Sequence, residues 1–157
     1  MDQDQDFEEL AKKYPDLMQK SQQDYIGVNA GWYTILDVLF EGLSGDVERA
    51  RYSLKFALEN PDNKYIKPIP ELEAALADAL EKLPTIVQIK EKFGGLRVYA
   101  DGGTEVHQAY INFAAAMAAR TCEICGNPGE LRDGGWMKTL CDEHHKELEA
   151  KSSNRKR

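Results

Sequence analysis

Near its end the chain carries Cys122 and Cys125, then a gap of fifteen residues, then Cys141 and His144. This Cys-x2-Cys…Cys-x2-His pattern uses all three cysteines of the protein. No other feature restricts its fold as tightly. Three thiolates and an imidazole form a closed tetrahedral shell, the arrangement that Zn2+ favours in structural sites. Two ligand pairs at matched spacing, the first followed directly by Gly126, rarely coincide by chance.

The residues around the ligands specify the kind of site. Residues 122–126, Cys-Glu-Ile-Cys-Gly, read as a knuckle whose backbone N–H groups turn towards the thiolates. Residues 131–140 read as a β-hairpin, with Asp133, Gly134 and Gly135 as its turn. After Cys141, residues 142–150 read as a helix with Asp142 and Glu143 in its first turn, where acids favour the helix dipole. A knuckle, a hairpin and a helix that delivers the second ligand pair together resemble a treble-clef zinc finger. His144, at i+3 from Cys141, shares its helical face and is preferred as the fourth ligand; His145 is the alternative. A closed shell leaves no position for water or substrate, so the expected role is structural. Treble clefs also occur in nucleases of the His-Asn-His type, which need a histidine on the hairpin. Here Trp136 and Lys138 occupy that hairpin, and nuclease chemistry is not expected.

A chain of 157 residues can bury one core plus a zinc-stapled appendage. The expected fold class is α+β: a helical N-terminal body with a β-hairpin, followed by a C-terminal treble-clef-like zinc finger. The expected divisions are an acidic segment at 1–20, the helical body at 21–120 with its hairpin at 85–100, the finger at 121–150 and a basic tail at 151–157. The net charge is −7, and residues 1–60 hold twelve acids against six bases. That half is unsuited to lie on phosphates, where affinity comes from Lys and Arg. No apolar run is long enough to span a bilayer, and no signal-peptide pattern opens the chain. Thiols reserved for metal imply a reducing compartment. The expectation is a cytoplasmic protein with no membrane partner.

Residues 2–13 are polar and acidic apart from Phe7, Leu10 and Ala11, and read as a short helix or a tail ending near Pro15. From Asn29, a plausible N-cap, Trp32, Ile35, Leu36, Leu39 and Phe40 recur at helical spacing. Gly42 and Gly45 are expected to break this helix, with a second helix over 46–60 folding back on the first as an antiparallel pair. A further helix starts at Pro70 and stops at Pro84, with Leu72, Ala75, Leu76, Ala79, Leu80 and Leu83 on its stripe. Residues 104–120 read as an alanine-rich helix capped by Thr104, with Val106, Tyr110, Phe113, Ala114 and Met117 facing one way. His107 lies in its first turns, and nothing near it in sequence supplies a nucleophile or an orienting acid.

Residues 85–100 carry β-formers on both sides of Gly94-Gly95, which reads as the two-residue turn of a hairpin. The corresponding pairs are Phe93 with Leu96, Lys92 with Arg97, Lys90 with Tyr99 and Ile89 with Ala100. One face then holds Val87, Ile89, Phe93, Leu96 and Val98, with Glu91 as the odd member. The other holds Gln88, Lys90, Lys92, Arg97 and Tyr99. Three bases and an aromatic on one pleated face suit a phosphate, a nucleotide or an acidic partner. An outer face that is merely wet and charged is the plainer reading, as half-exposed antiparallel sheets usually are.

Residues 90–97, Lys-Glu-Lys-Phe-Gly-Gly-Leu-Arg, then a helix, then Cys-Glu-Ile-Cys-Gly, Gly-Gly-Trp and Thr-Leu-Cys-Asp-Glu-His follow in order. Across residues 84–145 the chain resembles small uncharacterised proteins of bacteriophages and prophages with a C-terminal treble-clef-like zinc finger. The resemblance implies a viral or prophage setting, and so the host cytoplasm, with Cys122, Cys125, Cys141 and His144 as zinc ligands, and transfers no activity.

Three functions follow from the residues. The first is a non-enzymatic, zinc-stabilised interaction protein that binds a host or bacterial protein, for regulation or counter-defence. Trp136 is its candidate anchor, since aromatics dominate interface hot spots; the alternative is a ring packed over the metal site or the body. The second is nucleic-acid binding through Lys90, Lys92, Arg97, Lys138 and the basic tail at 155–157. The third is capture of a small nucleotide by the basic hairpin face. Hydrolase chemistry is the weakest reading, because no paired carboxylates or nucleophile–base pair can be argued from spacing.

Overall fold

The computed structural model describes residues 3–18 and 26–156. Asp2, in the N-terminal stretch, and Arg157, in the basic tail, lie outside them. The fold is α+β: helices around a small three-stranded sheet, with a two-stranded sheet near the C-terminus. In chain order the elements are α1 (Gln3–Lys13), β1 (Ile26–Gly27), a 3-10 turn (Ala30–Trp32), α2 (Tyr33–Glu59), α3 (Ile69–Lys82), β2 (Thr85–Lys92), β3 (Gly95–Asp101), α4 (Glu105–Ala118), β4 (Glu130–Arg132), β5 (Lys138–Leu140) and α5 (Asp142–Arg155). Among the described residues, no helix is long and apolar enough to cross a membrane.

The apolar spots of the acidic N-terminal stretch belong to a helix. Phe7, Leu10 and Ala11 sit at i, i+3 and i+4, and all three are buried in the main core. Leu17 follows them inward, and its carbonyl accepts a hydrogen bond from the Ile86 N–H at 2.8 Å.

Gly42 and Gly45 do not break the next helix. α2 runs unbroken for 27 residues, and the expected antiparallel pair is one long rod. Its buried stripe, Leu36, Leu39, Phe40, Leu43 and Val47, passes straight through the glycine region. A glycine inside a helix costs about 1 kcal/mol relative to alanine. Burial of a single large apolar side chain contributes about 1.5–3 kcal/mol, so the continuous stripe outweighs two such penalties. The helix that packs along α2 is α3, with Pro70 in its first turn. Asn29 does not cap the region with its side chain, which is directed elsewhere.

The hairpin forms with a different register. Lys92 pairs with Gly95, Glu91 with Leu96, Lys90 with Arg97 and Ile89 with Val98, so the two turn residues are Phe93 and Gly94. Both have positive φ, 53° and 77°, as a type I′ turn requires. The register differs from the expected one by two residues, and an even slip leaves the faces unchanged. Ile89, Leu96 and Val98 therefore still share the inner face, while Lys90, Arg97 and Tyr99 share the outer one. A bulge between Ile86 and Gln88 turns Ile86, rather than Val87, into the core. Phe93 leaves the apolar face altogether and stands in the turn, 64% exposed. Ile26 and Gly27 add β1 parallel to β2, giving the order β1-β2-β3.

α4 is rotated from its expected setting. Its buried stripe is His107, Ile111, Ala114 and Ala118, while Val106, Tyr110, Phe113 and Met117 are exposed. His107 is part of the helix cap. Its Nδ1 accepts from the Thr104 N–H at 3.0 Å while its own N–H donates to Thr104 Oγ1, a reciprocal capping box.

Candidate metal centre

The two ligand pairs are brought together by short local structures. In the knuckle the Gly126 N–H donates to the Cys122 carbonyl at 2.9 Å, and Gly126 has φ +79°. Only a glycine takes that conformation without strain. The Cys122 N–H donates to the Asn127 carbonyl at 2.7 Å, closing the turn. β4 and β5 then pair antiparallel, Glu130 with Leu140 and Arg132 with Lys138, and β5 ends one residue before Cys141. Cys141 stands at the N-cap of α5, so His144 falls within that helix's first turn. Arg132 locks this junction. Its guanidinium donates to the Leu140 carbonyl and pairs with Asp142 at 2.7 Å, which holds the Asp142 carboxyl below its usual range. α5 continues to Arg155, through most of the expected tail.

Cys122, Cys125, Cys141 and His144 present one ligand atom each, all within 4.8 Å of one another. Cys125 Sγ lies 3.8 Å from Cys141 Sγ, and His144 Nδ1 lies 3.2 Å from Cys141 Sγ and 3.6 Å from Cys122 Sγ. In a tetrahedral shell with metal–sulfur bonds of about 2.3 Å and metal–nitrogen bonds of about 2.0–2.1 Å, the S–S edge is about 3.8 Å and the S–N edge about 3.6 Å. The donor set fits a single metal ion, and the Cys125–Cys141 and Cys122–His144 edges match such a shell. His144 completes the cluster, while His145 sets its Nε2 3.3 Å from the Glu149 carboxylate. Burial pushes the Cys122 thiol up, but backbone N–H groups of Cys141, Cys125 and Ile124, with the Cys125 thiol, outweigh it and bring the thiol down to about 7. The Cys141 and Cys122 sulfurs raise the affinity of His144 for a proton. N–H groups that favour thiolate favour the form that binds metal.

The metal-ligand unit is seated on the body at two places. At the first, the knuckle meets the 3-10 turn. The Gly31 N–H donates to the Glu123 carbonyl at 2.9 Å, and a side chain at Gly31 would collide with the Cys122 and Glu123 backbone. Trp32, fully buried, donates from Nε1 to the Thr121 carbonyl at 2.9 Å. Glu123 is also fully buried; its Oε1 takes the Lys138 ammonium at 2.8 Å and the Asn29 amide at 3.4 Å. At the second, β5 meets the tip of the β2–β3 hairpin. Thr139 Oγ1, buried, donates to the Gly94 carbonyl at 2.6 Å, and the Gly94 N–H donates to the Glu91 carboxylate at 2.6 Å. Leu131 and the Lys138 backbone press on Gly94. A glycine is needed at this tip, because a side chain there would meet Leu131 and the Lys138 backbone.

The remaining residues singled out from the sequence divide into two groups. Lys90, Lys92, Arg97 and Tyr99 do share one face, with Lys90 Nζ 5.3 Å from the centre of the Tyr99 ring and Lys92 Nζ 5.6 Å from that of Phe93. Trp136 is 77% exposed, so its ring covers neither the metal-ligand cluster nor the body. Lys138 is turned inward onto Glu123 and away from the basic face. Gly31, Glu123 and Thr139 were invisible as site-forming residues in the sequence. The one available signal was Glu123 itself, an acid between two cysteines that a bare knuckle does not need. Compared with protein-family models, curated proteins and solved structures, the chain finds no match.

Proposed function

We propose that the chain is a non-enzymatic, zinc-stabilised interaction protein whose C-terminal unit is a treble-clef-like finger. Zn2+ is the ion that three thiolates and one imidazole in a closed tetrahedron select, since soft sulfur donors disfavour Mg2+ and Ca2+. The observation that carries the reading is a pair of exposed aromatic rings on two hairpins that are joined by a hydrogen bond. The finger's hairpin clamps the β2–β3 turn through Thr139 and Gly94, and each tip holds out an aromatic ring, Trp136 at 77% and Phe93 at 64% exposure. Exposed aromatics on rigid supports are what interfaces use as anchors. A bacterial protein, reached in the cytoplasm, is the expected partner, as the resemblance of residues 84–145 to phage and prophage proteins suggests.

The test is capture from bacterial lysate with metal-loaded protein as bait. A partner should be retained by the loaded wild type and lost with Trp136→Ala and with Cys125→Ser. Metal analysis should find about one zinc per chain. Protein purified without chelator yet free of metal, or equal capture by all three baits, would refute the proposal. A second reading, binding to single-stranded nucleic acid, is favoured by the cations beside Tyr99 and Phe93. It requires steep loss of affinity with salt, which a protein interface anchored on aromatics does not show.

A further inference from the structure

We propose that the free edge of β3 is a strand-addition site for an extended, acidic segment of a partner protein. The proposal rests on the interaction reading above and names the chemistry of the partner. Among the described residues the sheet order is β1-β2-β3, so β1 covers one edge of the hairpin and β3 is open on the other. In a ladder closed by a two-residue turn, the flanking pair Lys92–Gly95 exchanges its hydrogen bonds, and bonded and non-bonded pairs alternate from there. Leu96 and Val98 fall in the non-bonded pairs, opposite Glu91 and Ile89. Their N–H and C=O groups therefore point away from β2, towards the open edge.

A groove of about 410 Å3 runs along this edge, between residues 96–99 of β3 and a wall of α4 formed by Gln108, Ile111, Asn112 and Ala115. Its lining is mixed in the way a strand would read it. Side chains of an added strand alternate between the two faces of the sheet. On the outer face they meet Lys92 and Arg97; on the α4 side they meet Ile111 and Ala115 beside the Gln108–Asn112 amide pair. Neither Lys92 nor Arg97 makes an ion pair among the described residues. The matching ligand alternates carboxylates with small or β-branched apolar residues, and hydrogen-bonds through its backbone to Leu96 and Val98. A second copy of this chain fits less well, because two β3 edges would bring cations against cations. The clamp of Gly94 by Thr139 holds the hairpin tip at the end of the groove, so the edge is presented by a fixed support.

The test uses metal-loaded full-length protein and a fluorescein-labelled nine-residue peptide alternating glutamate and valine, read by anisotropy. Three comparison peptides carry lysine in place of glutamate, N-methylation at the valines, or N-methylation at the glutamates. A strand turns alternate N–H groups to opposite edges, so one N-methylated form should lose binding and the other should keep it. Lys92→Glu/Arg97→Glu should weaken the glutamate peptide at least tenfold and admit the lysine peptide. Hydrogen exchange should show new protection at the Leu96 and Val98 amides. Absence of binding, equal binding by both N-methylated forms, or unprotected Leu96 and Val98 amides would overturn the proposal. So would a dimer in sedimentation that Arg97→Glu dissociates. Zinc content and Trp136-dependent capture are separate readouts. If they hold while the peptide fails, only the edge site falls; if they fail while the peptide binds, only the zinc-held interface falls.

Discussion

Gly94→Ala tests the clamp between the β4–β5 hairpin and the β2–β3 tip. Gly94 has φ +77°, and a methyl group there would come 2.5 Å from Leu131 Cδ1 and 3.2–3.3 Å from the Lys138 backbone. The left-handed conformation costs an alanine about 1–2 kcal/mol, of which about 0.4–1 kcal/mol is offset by the smaller entropy of the unfolded chain. Leu131 is half exposed and can swing aside, but the Lys138 backbone is fixed by pairing with Arg132. Overpacking of this kind adds about 1–3 kcal/mol, and the lower half of that range applies when one of the two neighbours can yield. The total is about 2–3 kcal/mol. Gly102→Ala supplies the control, since Gly102 has nearly the same φ, +74°, and nothing within 4 Å of the added methyl. It should lose only the conformational part, about 1 kcal/mol. Urea unfolding of both variants in excess zinc, with a slope of about 2 kcal/mol per molar, should separate their midpoints by about 0.5–1 M. Equal midpoints would refute the docking of the tip, because the two variants differ only in what the methyl meets.

Removing the glycines inside α2 should stabilise the protein: Gly42→Ala places its methyl at an ordinary 3.6 Å from the Tyr110 ring, and thermal unfolding should rise by an amount matching about 1 kcal/mol. A lower melting temperature would mean that α2 is not continuous there. Lys138→Met leaves the fully buried Glu123 without its cation. Loss of one partner of a buried pair costs about 3–5 kcal/mol, and the low end is expected because Lys138 is itself 26% exposed; a change under 1 kcal/mol in denaturant unfolding would contradict the pairing. Trp136→Ala should alter stability by no more than about 0.5 kcal/mol, as for other exposed positions, and a larger loss would show that the ring packs on the protein after all.

The two Cys-x2-Cys/His pairs, the turn at the first, the hairpin and the helix after Cys141 were all legible in the sequence, because each is a local motif. Ligand spacing, turn residues and first-turn charges act within a few positions of one another. The α3 boundaries, set by Pro70 and Pro84, were legible for the same reason. The break expected at Gly42 and Gly45 failed because a local penalty of about 1 kcal/mol per glycine competes with a stripe that only tertiary packing buries. α4 offered two apolar stripes one residue apart. Alanines give little contrast between them, and the cap made by His107 with the burial of Ile111 decided the rotation.

The hairpin shows the division most clearly. Its alternation determined which side chains share a face, and that survived a two-residue slip of register. The position of the turn was left one residue off, because Gly94 suits a turn in either register; at the observed tip Thr139, 45 residues further on, bonds the Gly94 carbonyl. In the same way the sequence by itself determined that three thiols and an imidazole would meet. The tertiary structure alone decided what that meeting is packed against: Gly31 under the knuckle, Glu123 against Lys138, and Thr139 on the hairpin tip. Local pattern acts through neighbours along the chain, whereas docking depends on shape complementarity between segments that the pattern of neither one encodes.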